Sequence, residues 1–129
     1  MDEKNIKILI IDDEADFRQL IKLWFEAKGY FVIEAPDGQS ALKVVEDNNP
    51  DAIFMDLRMP GMDGMEAIKR IRELNKDVPI IVMSSYITDL KFKDTVPYDI
   101  SGIFCKGEDF QDGLTLLEAA LRTHKKLKK

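Results

Sequence analysis

Several features are scarce in this sequence, and each scarcity excludes a class of protein. Its 129 residues include a single cysteine, Cys105, so no disulfide can form within the chain. No apolar run approaches the length that crosses a bilayer, and residues 1–4 lack the hydrophobic core of a secretion signal. We therefore expect a cytoplasmic protein that makes no membrane contact.

Positive charge is also in the minority. The 19 Lys and Arg residues against 24 Asp and Glu residues give a formal net charge of −5, which argues against direct nucleic-acid binding. A basic tail at about 122–129 contains Arg122, Lys125, Lys126, Lys128 and Lys129. Cations favoured by the dipole at a helix C-terminus explain this tail most simply. A linker stub into an output domain or a weak contact with an anionic surface are the alternatives.

The pattern of apolar residues predicts one α/β domain over residues 1–129. Short apolar runs alternate with segments of helical periodicity, as in βα units on a parallel sheet. Strands are predicted at about Lys7–Ile11, Tyr30–Glu34, Ala52–Met55, Ile80–Met83 and Gly102–Cys105. Helices are predicted at about Glu14–Lys28, Ser40–Asp47, Met65–Asn75 and Asp109–Lys125. Trp24, on the apolar stripe of the first helix, is expected to anchor the core.

The stretch from Tyr86 to Ser101 fits this pattern poorly. It contains Pro97 and few apolar residues at helical spacing. Because proline is costly inside a helix, we expect only a short or irregular helix here.

Polar residues stand where four of the predicted strands end. Asp12 and Asp13 follow the first strand, Asp56 the third, Ser84 the fourth and Lys106 the fifth. Taken alone, the aspartate pair is most simply a helix cap, and a serine or a lysine after a strand is ordinary. Because ligands bind outside the carboxyl ends of parallel strands, all five side chains are expected to converge on one site.

The chemistry of this set favours phosphoryl transfer. Three carboxylates with no histidine or cysteine nearby disfavour zinc and suit Mg²⁺. Asp56 is anionic at neutral pH without a general base, and its attack on phosphorus would give an acyl phosphate. Lys106 and the Ser84 hydroxyl could then balance the charge on the phosphoryl oxygens.

These residues, together with the stretch DLRMPGMDG from Asp56 to Gly64, resemble the receiver domain of two-component response regulators over essentially the whole chain. The resemblance implies a flavodoxin-like, doubly wound five-stranded parallel sheet in the order 2-1-3-4-5. It also implies that Asp56 accepts a phosphoryl group from a sensor histidine kinase or a histidine phosphotransfer protein. The chain would then signal by conformational change. Apart from assisting its own phosphorylation and dephosphorylation, it would not be an enzyme.

The same resemblance implies a role for each site residue. Asp13, Asp56 and the backbone carbonyl of Arg58 would ligate Mg²⁺, and Asp12 would act partly through water. Ser84 matches the switch hydroxyl and Lys106 the lysine that contacts the phosphate. The residues that shape the loop are expected to be Pro60 and Gly64. A homodimer or an output domain is expected to use the face of the fourth and fifth helices of that fold.

Three departures from the family pattern lie in the half of the domain that reads out phosphorylation. Gly107 follows Lys106, where the family usually has proline after a cis bond, so we expect a trans bond and a rearranged loop. The aromatic switch position holds Ile103, and the neighbouring Phe104 should point to the opposite face. The third departure is the irregular stretch from Tyr86 to Ser101.

Two alternatives to a working receiver remain open. A degenerate receiver could act as an interaction module that does not depend on phosphorylation, which the Lys106-Gly107 loop favours and the complete set of site residues disfavours. An aspartate-nucleophile phosphatase fits less well, because its two aspartates are separated by one residue after the first strand. A flavodoxin fits poorly too, since no phosphate-binding loop follows that strand.

Overall fold

The computed structural model describes residues 6–57, 61, 63–84 and 98–123. Its strands are β1 (Lys7–Ile11), β2 (Phe31–Ala35), β3 (Ala52–Asp56), β4 (Ile80–Ser84) and β5 (Gly102–Cys105). The described helices are α1 (Ala15–Ala27), α2 (Gly38–Asn48), α3 (Gly64–Leu74) and α4 (Phe110–Thr123). Within these residues, no helix has both the length and the apolar character that a membrane span requires.

The five strands form one parallel sheet in the order β2-β1-β3-β4-β5, which confirms the predicted fold class. The registers align the carboxyl ends of the strands. Ile11 lies opposite both Ala35 and Met55, and Ser84 lies opposite Cys105. The residues that follow these strands therefore emerge at one edge of the sheet.

The sheet is covered on both faces, which explains why its central strands are continuous apolar runs rather than alternating ones. Every residue of β3 and β4 is buried. One face packs against α1 and α4 through a cluster that includes Ile10, Phe54, Phe25 and Leu117. The other packs against α2 and α3 through Leu9, Ile53, Val45 and Ile68.

Most element bounds differ from prediction by one or two residues, and local capping explains two of the shifts. The helix α1 starts at Ala15 because Glu14 occupies the N-cap. The helix α2 starts at Gly38 because the Asp37 side chain accepts a hydrogen bond from the backbone N–H of Ser40 at 2.7 Å.

The expectation that Trp24 anchors the core is wrong. Its side chain is 38% exposed, and Leu20 on the same predicted stripe is 51% exposed. The Trp24 ring instead packs at the rim, with its centroid 5.6 Å from that of Phe110. Only Ile21 and Phe25 of the stripe are fully buried, since the apolar stripe is wider than the surface that the sheet and α4 cover.

Some predictions fall outside the described residues. They concern Arg58, Pro60, most of the stretch from Tyr86 to Ser101 with its short or irregular helix, and the basic tail beyond Thr123. Arg122 is described and lies in the last turn of α4, where the helix dipole favours a cation.

Candidate functional site

The predicted site residues that are described emerge at the carboxyl edge of the sheet. Asp12 follows β1, Asp56 ends β3, Ser84 ends β4 and Lys106 follows β5. The backbone N–H of Lys106 donates to the carbonyl of Ser84 at 2.8 Å, which fixes the start of the β5–α4 loop against β4. Ser84 is 1% exposed.

Three carboxylates meet at this edge. Asp12, Asp13 and Asp56 each place one oxygen within 4.8 Å of the others. Asp12 and Asp56 are buried, whereas Asp13 is exposed, so the cluster is shielded from solvent on one side and open to it on the other. Hard oxygen donors with one face open to water are the arrangement that Mg²⁺ prefers.

The Lys106 ammonium lies among carboxylates. Its Nζ is 2.8 Å from Asp56 Oδ2, 2.7 Å from Asp12 Oδ2 and 2.5 Å from Glu14 Oε1, and it lies 4.8 Å from the centroid of the Phe17 ring. Burial alone would lower the pKa of this ammonium, but the bonds to the three carboxylates outweigh that effect and raise the pKa well above its ordinary value. Lys106 is therefore a permanent cation here.

Asp12 carries an unsatisfied oxygen. Its Oδ1 accepts a hydrogen bond from the backbone N–H of Glu14 at 2.8 Å. Its buried Oδ2 makes the ion pair with Lys106, but the contact is not aligned as a hydrogen bond, and no other described residue donates to it. Burial raises the pKa of the Asp12 carboxyl, and the neighbouring ammonium only partly offsets this. An oxygen in this state fits a metal ion or a metal-bound water.

Gly64 stands where no other residue fits. A Cβ at this position would lie 2.5 Å from the Cα and 2.6 Å from the carbonyl oxygen of Leu57. The first turn of α3, capped by Asp63, therefore presses directly against the backbone that follows Asp56. This contact supports the loop-shaping role expected for Gly64.

Phe104 and Ile103 lie on opposite faces of the sheet, as predicted. Phe104 is buried on the α1–α4 face of the sheet, whereas Ile103 packs on the opposite face. No cis peptide bond occurs among the described residues, so the bond between Lys106 and Gly107 is trans. After it, the backbone N–H of Glu108 donates to the carbonyl of Cys105 at 3.0 Å and closes a tight turn.

Sequence reasoning missed two residues that border the site. The sequence predicts only a helix start at Glu14, although an acid directly after the aspartate pair is a usable signal of a site residue. Arg18 donates to the backbone carbonyl of Asp12 at 2.6 Å and to Glu34 Oε1 at 3.0 Å. Lys22 adds a second bond to Glu34 at 3.2 Å. No motif in the sequence singles out Arg18.

The comparisons with known proteins agree with this geometry. The family model described as the response regulator receiver domain matches residues 8–118. The chain belongs to this family. Receiver domains are mostly signalling modules of two-component systems, and this receiver has the strand order of that fold.

Curated relatives of this receiver include two proteins of Bacillus subtilis. Sporulation initiation phosphotransferase F is 38% identical over 64% of this chain and 66% of its own length. Transcriptional regulatory protein YdfI is 35% identical over 90% of this chain and 55% of its own length. The receiver thus spans less than two thirds of the length of these two curated relatives.

Solved structures show the same fold. Chemotaxis protein CheY4 of Vibrio cholerae has a TM-score of 0.84 at 28% identity, covering 90% of this receiver and 98% of that chain. Response regulator TrrA of Thermotoga maritima, solved in complex with Mg²⁺ and beryllium fluoride, has a TM-score of 0.82 at 28% identity, covering 90% of this receiver and 99% of that chain.

Proposed function

We propose that this receiver accepts a phosphoryl group on Asp56 from the phosphohistidine of a sensor histidine kinase or a histidine phosphotransfer protein, in a Mg²⁺-dependent reaction. One observation carries the proposal. The buried Asp56 carboxylate stands 2.8 Å from the Lys106 ammonium, beside two further carboxylates, one of which has an unsatisfied buried oxygen.

The proposed step needs little covalent machinery. An oxygen of Asp56 attacks phosphorus, the P–N bond of the phosphohistidine breaks, and the imidazole leaves with the electron pair. Lys106 supplies fixed positive charge to one phosphoryl oxygen, and the Ser84 hydroxyl donates to another. Asp12, Asp13, Asp56 and the Arg58 carbonyl would hold Mg²⁺, which supplies charge neutralisation when bound.

The complex of TrrA with Mg²⁺ and beryllium fluoride supports this assignment, because beryllium fluoride is a chemical mimic of a phosphoryl group. The acyl phosphate would add nearly two negative charges beside Ser84 and Lys106 and so change the surface beyond β4. In this proposal the chain signals by that change. Its only catalysis is of its own phosphorylation and dephosphorylation.

The proposal extends to partners and context. Relatives named a phosphotransferase and a transcriptional regulatory protein support either a relay partner or an output domain. We assign such an output contact, or a homodimer, to the face of the fourth and fifth helices of the receiver fold, in which α4 is the fifth helix. The proposal also takes residues 1–129 as a single receiver domain in the cytoplasm.

A degenerate receiver that binds partners without phosphorylation is the second candidate. The observation that favours it is Ile103, which packs on the α2–α3 face of the sheet at the position where the family carries its aromatic switch. In that case the acidic cluster and Lys106 would serve only to stabilise the fold.

Intact-mass measurement distinguishes the two candidates. The protein is incubated with a small-molecule phosphodonor in Mg²⁺ or in EDTA, beside Asp56→Asn and a surface control, Asp47→Asn. We expect one phosphoryl adduct in Mg²⁺ for the wild type and the Asp47 variant, and none for Asp56→Asn or in EDTA. No adduct on the wild type under conditions that label an ordinary receiver would contradict the proposal and favour the degenerate receiver.

A further inference from the structure

Glu14 contacts the site although the proposed step gives it no role. It occupies the N-cap of α1, where side chains often cap the helix, but its own side chain makes no capping hydrogen bond. Its carboxylate instead reaches Lys106, which lies 92 positions away in the sequence, with Oε1 at 2.5 Å from Nζ. The Glu14 side chain thus binds Lys106 and does not cap the helix.

The Lys106 ammonium is already surrounded by acceptors. Two of its N–H groups donate to Glu14 and Asp56, and the Asp12 carboxylate lies 2.7 Å from its nitrogen as an ion-pair partner. The Phe17 ring lies on a further side, and the Lys106 side chain is only 7% exposed. A phosphoryl oxygen on Asp56 can therefore reach this ammonium only if one present partner withdraws.

Burial indicates which partner withdraws. The side chains of Asp12 and Asp56 are 0% and 6% exposed, so neither carboxylate can turn into water, and both stay at the site as proposed ligands of Mg²⁺. The Glu14 side chain is 59% exposed and can turn into solvent. When Glu14 turns out, water solvates its charge and the Lys106 ammonium keeps its two buried carboxylates, whereas withdrawal of Asp12 or Asp56 would leave a buried charge uncompensated.

We infer that Glu14 is a placeholder carboxylate, which holds Lys106 in the unphosphorylated receiver and competes with the incoming phosphoryl group for it. The inference rests on the proposed function and names the residue that sets the affinity of the site for phosphoryl oxygens. Removing the Glu14 charge should therefore strengthen phosphoryl binding and leave the Mg²⁺ site intact.

The test uses beryllium fluoride as the phosphoryl mimic, titrated calorimetrically at saturating Mg²⁺ into the wild type, Glu14→Gln and Glu14→Ala. The matched control is Asp16→Asn, which removes an exposed charge from the same first turn of α1. From the usual strength of an exposed ion pair, we expect both Glu14 variants to bind roughly two- to fivefold more tightly than wild type. Asp16→Asn should remain close to wild type, and Mg²⁺ alone should bind equally well to all four proteins.

Each other outcome has a separate meaning. If the wild type binds beryllium fluoride but the Glu14 variants bind no more tightly than Asp16→Asn, the inference is overturned and the proposed function stands. If Glu14→Gln weakens the binding of Mg²⁺ alone, Glu14 is a metal ligand and the inference is again overturned. If the wild type binds no beryllium fluoride and forms no phosphoryl adduct, the proposed function fails and the inference fails with it.

Discussion

Replacing Lys106 by methionine should destabilise the receiver strongly, and Mg²⁺ should restore much of the loss. Methionine keeps the apolar stem beside Phe17 but removes the ammonium that lies between Asp12 and Asp56. Both carboxylates are buried, so the substitution leaves two neighbouring charges without their cation. A bound Mg²⁺ would supply the missing positive charge.

The structure sets the size of the effect. Removing one partner of a buried ion pair usually costs about 3–5 kcal/mol of unfolding free energy. We expect about 3 kcal/mol, the lower end of that range, because the exposed Asp13 and Glu14 leave one side of the cluster open to water. Mg²⁺ at a hundred times its dissociation constant would return about 2.7 kcal/mol.

Urea unfolding in EDTA and in Mg²⁺ measures both effects. The control is Lys22→Met, which removes a lysine that is 30% exposed and paired with Glu34 away from the carboxylate cluster. It should cost at most about 1 kcal/mol in either buffer. A Lys106→Met protein as stable as wild type in EDTA would refute the reasoning, as would a variant whose own stability Mg²⁺ does not raise.

Three further substitutions test other parts of the account. Glu34→Gln should cost about 1 kcal/mol at pH 7. Burial raises the pKa of the Glu34 carboxyl, but its two cationic partners outweigh burial and lower this pKa overall. The loss of stability in the variant should therefore be full above the ordinary pKa of glutamate and should disappear as the pH falls through the lowered pKa. Acid titration of the stability of both proteins would show this dependence. Gly64→Ala should cost about 2 kcal/mol in urea unfolding, because its Cβ would overlap the Leu57 backbone. Asp12→Asn should raise stability in EDTA, because burial raises the pKa of the Asp12 carboxyl and so opposes its ionised form, and it should abolish stabilisation by Mg²⁺ in the same assay. Unchanged stability in any of the three would contradict the corresponding contact.

The sheet and the strand-end residues could be predicted because their signals are local. Strands buried on both faces read as continuous apolar runs, and a parallel sheet brings the residues after them to one edge. The positions of Asp12, Asp56, Ser84 and Lys106 follow from those two facts and the connectivity.

The features that the sequence does not predict depend mainly on packing between distant segments. The contact between Glu14 and Lys106 joins residues 92 positions apart, and no periodicity encodes it. The exposure of Trp24 depends on how far α4 extends over α1, which the apolar stripe of α1 alone does not show. The observed helix bounds differ from the predicted ones where a side chain caps the helix. Asp37, which accepts a hydrogen bond from the backbone N–H of Ser40, is an example, and the apolar pattern does not show such a bond.

The most direct test of the central claim is to locate the phosphoryl group itself. The receiver is treated with Mg²⁺ and a phosphodonor and then reduced with borohydride, which converts an aspartyl phosphate to homoserine. Peptide mapping by mass spectrometry then finds the converted residue. We predict homoserine at position 56, only in samples that contained Mg²⁺. Conversion of another aspartate, or none in a protein that is otherwise folded, would contradict the claim that Asp56 is the acceptor.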